Sequence, residues 1–327
     1  MKILLIMPNA CMHIVSIGSF KKSLREAPLT LTTLAALVPA NCECRIVDGS
    51  VEDIPWDYPA DLVAISVMTG TSFRAYEIAD RFRCMGKKVV LGGVHVTIIP
   101  EEAVAHADSI IIGPAEVVWP QLLSDFFDGK LKNRYEDWGS QSGEFLMNVP
   151  PPRIDYLRRS RYVIPDTVQA TRGCRHKCDF CAVNSVWPKY VKRPIADVIR
   201  DIKRLPGKRI AINDVSLVDD IDYAKELFKA MIPLKKIWGG LATAMVADDE
   251  ELLDLMQLSG CQYILIGFES INSQTLKYIG KRFNKPIDYK HVVEALHSRG
   301  ISIQGCFVFG FDEDTTEVFE RVINTVK

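Results

Sequence analysis

Val168-Gln-Ala-Thr171-Arg-Gly-Cys174-Arg-His-Lys-Cys178-Asp-Phe-Cys181 is the stretch on which the reading of this chain turns. Its first four residues read as a short strand. The cysteines follow in the loop at the strand's carboxyl end, where barrel enzymes do their chemistry. The spacing is CxxxCxxC. Three thiolates this close in sequence can wrap one cubane and hold three of its irons. The fourth iron then lacks a protein ligand and can accept a small molecule, as an iron–sulfur catalyst requires and a four-cysteine electron carrier does not. A structural zinc site is the alternative; it prefers separated CxxC pairs and needs a fourth ligand. His176 could serve only by sharing one tight loop with all three cysteines. An incidental or redox group of thiols is a further alternative.

Outward from this loop, strand and helix patterns alternate. Strands are expected at Val168–Thr171, Arg209–Val215, Trp238–Ala244, Tyr263–Phe268 and Ile301–Phe309. Between them lie apolar stripes at helical spacing: Ile195, Val198, Ile199, Ile202 and Leu205; Ala224, Leu227, Phe228 and Met231; Leu252, Leu253 and Met256; Val292, Val293 and Leu296. Pro194 opens the first, and Gly207, Gly260 and Gly300 stand where helices end. Five strand–helix units in one direction predict a partial (β/α) barrel over 167–327. The chain stops inside the fifth helix, so the barrel is expected to be truncated.

Upstream, apolar runs at Ile3–Met7, Cys44–Val47, Leu62–Val67, Val89–Leu91 and Ile110–Ile112 each end in a polar or glycine-bearing loop. Helical patterns at Leu29–Leu37, Phe73–Cys84 and Val117–Phe127 separate them. This predicts an α/β, Rossmann-like domain over 1–130, its parallel sheet covered on both faces and its ligand at the strands' carboxyl ends. Residues 131–166, polar at first and broken by Pro150-Pro151-Pro152, are expected to be a linker.

Composition narrows the function classes. A net charge of -1 gives no field for nucleic acid or an anionic membrane. No run approaches the roughly 18 apolar residues of a membrane span, and MKILLIMPNA lacks the features of a signal peptide. A cytoplasmic protein without a transmembrane segment is expected, its nine cysteines therefore free of disulfides.

The cysteine loop, with Phe180 just before its last cysteine, resembles the radical S-adenosylmethionine superfamily. The resemblance implies that Cys174, Cys178 and Cys181 hold a 4Fe-4S cluster whose open iron chelates S-adenosylmethionine, and that Phe180 lies beside the adenine. Asn213 and Asp214 stand where many members carry a GGE motif, which this chain lacks. The acidic residue there is similar to the cobalamin-associated branch, though Asp214 reads equally well as a turn or cap residue. Gly267-Phe-Glu269-Ser270, followed by Leu276 and Lys281, is similar to a GxES element near the ribose and methionine of the cofactor. Glu269 ends an apolar strand, where a carboxylate needs a partner. Gly310 matches a glycine of the strand that packs on the adenine, or simply sits in a turn.

The upstream domain resembles the cobalamin-binding subclass of the same enzymes. Ser66-Val-Met68 with Thr69, Gly92-Gly93 and Gly113 correspond to its corrinoid-contacting loops. The DxHxxG element is absent: Cys11-Met-His13 keeps only the histidine, and both His13 and His95 read as ordinary loop or surface histidines. The subclass implies methylation of an unactivated carbon, with one S-adenosylmethionine methylating cobalamin and another giving the 5′-deoxyadenosyl radical. It also implies flavodoxin or ferredoxin as reductant and a small-molecule, lipid or peptide substrate. Cyclisation, rearrangement or oxidation is the alternative chemistry, and a cluster-binding sensor or scaffold without turnover the alternative class.

Overall fold

The structure, a computed structural model, describes residues 1–9, 14–17, 20–136, 146–147 and 149–326, and contains two compact units, Met1–Thr167 and Val168–Lys327. Cys11 and His13 lie outside the described residues.

In the first unit the strands are β1 (Lys2–Met7), β2 (Ile14–Ile17), β3 (Phe20–Glu26), β4 (Glu43–Asp48), β5 (Leu62–Ser66), β6 (Lys88–Gly92), β7 (Ser109–Ile112), β8 (Arg134–Glu136) and β9 (Tyr162–Ile164). Six of them form a parallel sheet in the order β4-β1-β5-β6-β7-β8. The apolar runs are continuous because both faces are covered, and alternate residues serve opposite layers. Ile3 and Leu5 pack with Leu31, Trp119 and Leu122; Leu4 and Ile6 pack with Ile78 and Phe82. Each such side chain stabilises the fold by about 1.5–3 kcal/mol. The covering helices Leu29–Ala36, Ser72–Cys84 and Ala115–Phe127 fall where the periodicity places them.

Part of the stretch expected to be a linker is built into this unit. β8 extends the sheet, and β9 joins β3, which pairs with β2. Tyr162 is buried and donates to Asp48 Oδ2 (3.0 Å), while Tyr156 packs on the layer around Trp119. None of these strands carries an apolar run longer than three residues; distant partners create them.

In the second unit the strands are β10 (Thr167–Val168), β11 (Thr171–Arg172), β12 (Val191–Lys192), β13 (Arg209–Ile212), β14 (Ile237–Ala242), β15 (Cys261–Glu269) and β16 (Ser302–Phe307). β10-β13-β14-β15-β16 form one sheet in chain order, with β13 to β16 parallel. Helices Ile195–Arg204, Ile221–Met231, Glu250–Leu258, Tyr289–His297 and Val318–Val326 alternate with these strands, which is the expected partial barrel. Their apolar stripes are buried (Val198, Ile202, Leu227, Phe228, Leu252, Met256, Leu296), and Phe228 stacks on Trp238 at 5.0 Å. Asp220 and Asp249 cap two helices by accepting from the amides of Tyr223 (3.0 Å) and Leu252 (2.9 Å).

Four strands end earlier than the sequence suggests: the first, β13 at Ile212, β14 at Ala242 and the last. The first stops at Val168 because Asp214 takes the amides of Ala170 and Thr171. The last stops at Phe307, and the chain then turns.

Candidate active site at the carboxyl ends of the strands

The cysteine loop is fixed by the protein itself. Asp214, just beyond β13, is 1% exposed and accepts from Ala170 N (2.8 Å), Thr171 N (2.6 Å) and Thr171 Oγ1 (2.7 Å). Burial pushes this carboxyl up to about 6, against those hydrogen bonds. Asp214 is therefore a brace for the start of the loop, with both oxygens turned to the chain. Thr171–Arg172 pairs antiparallel with Val191–Lys192, and Gly173 at φ 86° lies against the opposite arm: a Cβ there would meet Lys189 O at 2.3 Å. Only glycine fits.

The loop's middle is held by residues 278–284. Asp179 N donates to Ile279 O (3.1 Å), and the His176 ring stacks on Phe283 at 3.9 Å. His176 Nε2 lies 3.5 Å from Asp219 Oδ1. Asp219 also accepts from Arg175 N (2.8 Å) and from Ser216 Oγ, and contacts the Cys174 thiol. Burial works against its charge, but the bonds from His176, Ser216 and the Arg175 amide prevail and hold it below the usual carboxylate range. His176 is thus held through Nε2 by a carboxylate and through its face by a ring.

The three cysteines are each half-buried. Burial pushes the Cys174 thiol up to about 12 and raises Cys178, where nearby Lys281 opposes the rise. Among the described residues no three His, Cys, Asp or Glu side chains gather around a single metal ion. A cubane takes each thiolate on a different iron and needs a broader triad than one ion does. Three all-sulfur donors on one anchored loop fit that demand.

Glu269 closes β15 in a left-handed conformation, φ 66°, uncommon for a side chain other than glycine. Its Oε1 is 2.7 Å from Lys281 Nζ, with both side chains about nine-tenths buried. Glu269 O accepts from Val308 N (2.9 Å), and Asn284 Nδ2 donates to Gly267 O (2.8 Å). Among the described residues Asn284 Oδ1 is buried without a partner. Such strain, costing about 1–3 kcal/mol, collects at functional sites.

The other candidates divide. Asn213 is half-buried, its amide on Val168 O (2.8 Å), and Phe180 is half-exposed on the cysteine loop. Ser270 is buried, and its hydroxyl accepts from Asn272 N (3.1 Å). Gly310 lies three residues past β16 in an exposed turn where Asp314 accepts from the amides of 310 and 311. Nothing in the residue pattern marks the Asp219 hub, and Lys281 stands out only as part of a motif.

In the first unit, β5 and β6 end side by side. Val67 N donates to Gly92 O (2.7 Å) and His95 N to Val67 O (3.1 Å). Gly93, at φ 104°, presses against this joint: a Cβ would stand 2.8 Å from Val67 N and O and 3.2 Å from Ser66 Oγ. Its glycine thus serves the chain's own packing at this joint. Thr97 Oγ1 donates to Gly93 O (2.9 Å) and accepts from Gly113 N (3.1 Å), tying in the third loop. Around the joint, Met68, Thr69, Phe73 and Val94 are exposed, Phe73 by 85%, and a Cβ on Gly70 would meet nothing within 4 Å. An open, largely apolar ledge at the carboxyl end of a parallel sheet fits a large flat ligand such as a corrinoid. His95 is buried, contrary to the surface reading.

Comparison with known proteins agrees with both units. Residues 168–326 match the radical SAM superfamily profile and residues 8–123 the B12 binding domain profile. The chain is 33% identical to bacteriochlorophyllide d C-12(1)-methyltransferase of Chlorobaculum tepidum, across 91% of this chain and 68% of that protein. It is 31% identical to the C-8(2)-methyltransferase of the same organism, across 91% and 70%. In fold it is similar to the radical S-adenosylmethionine methyltransferase TsrM from Kitasatospora setae, solved with cobalamin and a [4Fe-4S] cluster. There the TM-score is 0.77 at 18% identity, over 99% of this chain and 72% of that one. The cobalamin-dependent enzyme OxsB gives 0.78 at 16%, over 99% and 51%.

Proposed function

We propose a function that proceeds from one fact: this chain belongs to the radical S-adenosylmethionine enzymes that carry a B12-binding domain. It is accordingly an enzyme, with a 4Fe-4S cluster, S-adenosylmethionine and cobalamin as cofactors. When bound, these supply a carbon radical, made by reductive cleavage of S-adenosylmethionine, and a methyl group. We assign the chain to methylation of an unactivated carbon. The observation that carries this is the likeness to two methyltransferases over nine-tenths of the chain. Both relatives are named for a bacteriochlorophyllide, so a tetrapyrrole side chain is the substrate class to test first.

The residues divide the work. Cys174, Cys178 and Cys181 hold the cluster. Asp214 keeps their loop in place and does not itself touch S-adenosylmethionine. Glu269, held by Lys281, and Ser270 and Asn213 beside the strand ends are positioned for the methionine and ribose, and Phe180 for the adenine. Met68, Thr69 and the loops at Gly92, Gly93 and Gly113 bear the corrinoid. A small low-potential carrier, flavodoxin or ferredoxin, supplies the electron. Among the described residues no helix is long and apolar enough to cross a membrane.

The test is anaerobic turnover with S-adenosylmethionine carrying a trideuterated methyl group, hydroxocobalamin, a reductant and candidate tetrapyrroles. Equal amounts of 5′-deoxyadenosine and S-adenosylhomocysteine, with label in the product, are expected. Deoxyadenosine without S-adenosylhomocysteine would refute methyl transfer and leave cyclisation or oxidation. Absence of both would leave a sensor without turnover.

A further inference from the structure

The buried histidine of the first unit has a chemistry the assignment above leaves unused. His95 is 3% exposed, and both ring nitrogens face polar groups. Nδ1 lies 3.3 Å from Thr69 Oγ1, and Nε2 lies 3.2 Å from Glu102 Oε2. Glu102 also accepts from Tyr76 OH (3.4 Å). Tyr76 is clamped in turn: its ring stacks on His106 at 4.3 Å, and His106 Nδ1 is 2.8 Å from Asp80 Oδ2. The half-exposed carboxylate behind the ring thus has two partners, His95 and the clamped Tyr76. Thr69, at the other end, is exposed on the loop after β5, between the exposed Met68 and the open space at Gly70.

Proton inventory gives the line a direction. An ionised carboxylate only accepts, so Nε2 carries a proton toward Glu102. With that proton on Nε2 and the ring uncharged, Nδ1 is an acceptor, and the Thr69 hydroxyl 3.3 Å away is the donor that fits it. The hydroxyl's one proton points inward, and its lone pairs point out of the ledge. A threonine that rotated freely would offer donor or acceptor alike; this one can only accept. A carboxylate–histidine pair orienting a third group is a recurring positioning device.

We infer that His95, backed by Glu102, is a positioning residue that sets Thr69 as a fixed hydrogen-bond acceptor for an N–H or O–H donor of the bound corrinoid. The inference rests on the cobalamin reading above and adds what holds the ligand there. A corrinoid offers such donors in its peripheral primary amides and, in the aquo form, in a cobalt-bound water. The ledge is otherwise apolar, so a single oriented acceptor would fix the rotation of a flat ligand that apolar contacts leave free to turn.

The test measures corrinoid retention by the full-length protein, through visible absorbance after ultrafiltration. Hydroxocobalamin and methylcobalamin are titrated in parallel. Thr69→Val, an exposed and nearly isosteric change, should weaken retention by roughly 2- to 12-fold, the value of one hydrogen bond. His95→Leu should weaken it similarly. His95→Asn, whose side-chain oxygen can accept from Thr69, should restore most of the loss. The decisive arm is the double variant: His95→Leu should cost nothing further once Thr69 is valine, because the histidine acts through that hydroxyl. Loss with both cobalamins assigns the donor to a peripheral amide, and loss with hydroxocobalamin alone assigns it to the axial water. Wild-type retention by Thr69→Val, or an equal effect of His95→Leu in both backgrounds, overturns the inference. A wild-type protein that retains no corrinoid would overturn the cobalamin reading itself, and this inference with it.

Discussion

Replacing Asp214 by asparagine tests whether one buried carboxylate holds the cysteine loop. The carboxylate accepts three hydrogen bonds, from Ala170 N (2.8 Å), Thr171 N (2.6 Å) and Thr171 Oγ1 (2.7 Å), at 1% exposure. Asparagine keeps one oxygen. Turned toward Thr171 it preserves two acceptances, but its amino group then faces the Ala170 amide, donor against donor. An unpaired buried amide costs about 1–3 kcal/mol. With about 2 kcal/mol removed, local opening of the loop should become about 30-fold more frequent. Hydrogen exchange followed by mass spectrometry on peptides spanning 168–173 reads this directly, and peptides of β7 in the first unit should not change. The same variant carries a pH signature. Burial raises the folded Asp214 carboxyl from 3.8 to about 6, so between those values the folded state keeps a proton that the unfolded chain has released. Stability therefore falls as pH rises through that window, by at most about 3 kcal/mol, and the variant should lack this part of the slope. Unchanged exchange at 168–173, within about threefold, would refute the brace.

The remaining predictions concern the same edge of the second unit. Gly173→Ala places a Cβ 2.3 Å from Lys189 O at φ 86°, so reconstituted iron and sulfide per chain should fall severalfold; a full load would show that the arms can part without loss. The double variant Glu269→Gln with Lys281→Met removes a buried pair whose desolvation roughly cancels its attraction. Urea stability should therefore stay within about 1–2 kcal/mol of wild type while S-adenosylmethionine affinity drops at least tenfold, and retained affinity would take Glu269 out of the site.

Legibility followed the range of the interactions. β1, β5, β6 and β7 could be read because each is an unbroken apolar run, and a strand buried on both faces shows itself locally. The helices over 72–84, 195–204 and 250–258 carry their stripe and, in the last, their cap in the sequence. β8 and β9 could not be read, since three residues such as Arg134–Glu136 become a strand only beside β7. The site divides in the same way. The cysteines declare themselves by spacing within eight residues. What Asp214, Asp219 and His95 do depends on partners 43, 44 and 26 positions away, so their roles were open until the fold closed.

The parts of the second unit that hold the cysteine loop are costly as scaffold and useful as a site. A glycine locked at φ 86°, a carboxylate buried under three donors, a left-handed glutamate and a buried ion pair each destabilise a fold or leave it no better off. All four converge on the carboxyl ends of β10, β13 and β15, and two of them grip the same eleven residues, 171–181. A loop fixed in this way before any metal arrives has already lost its conformational entropy, of order 1–2 kcal/mol per residue, in folding. Binding then spends little on ordering, and the Cys174 and Cys178 thiols, raised by burial, have a metal as their route to the charged form. A flexible CxxxCxxC loop would also collect iron, but it would hold the cluster's open corner in no particular direction. The braces fix the loop on which Cys174, Cys178 and Cys181 would hold a cluster, at the same strand ends that carry Glu269 and Ser270.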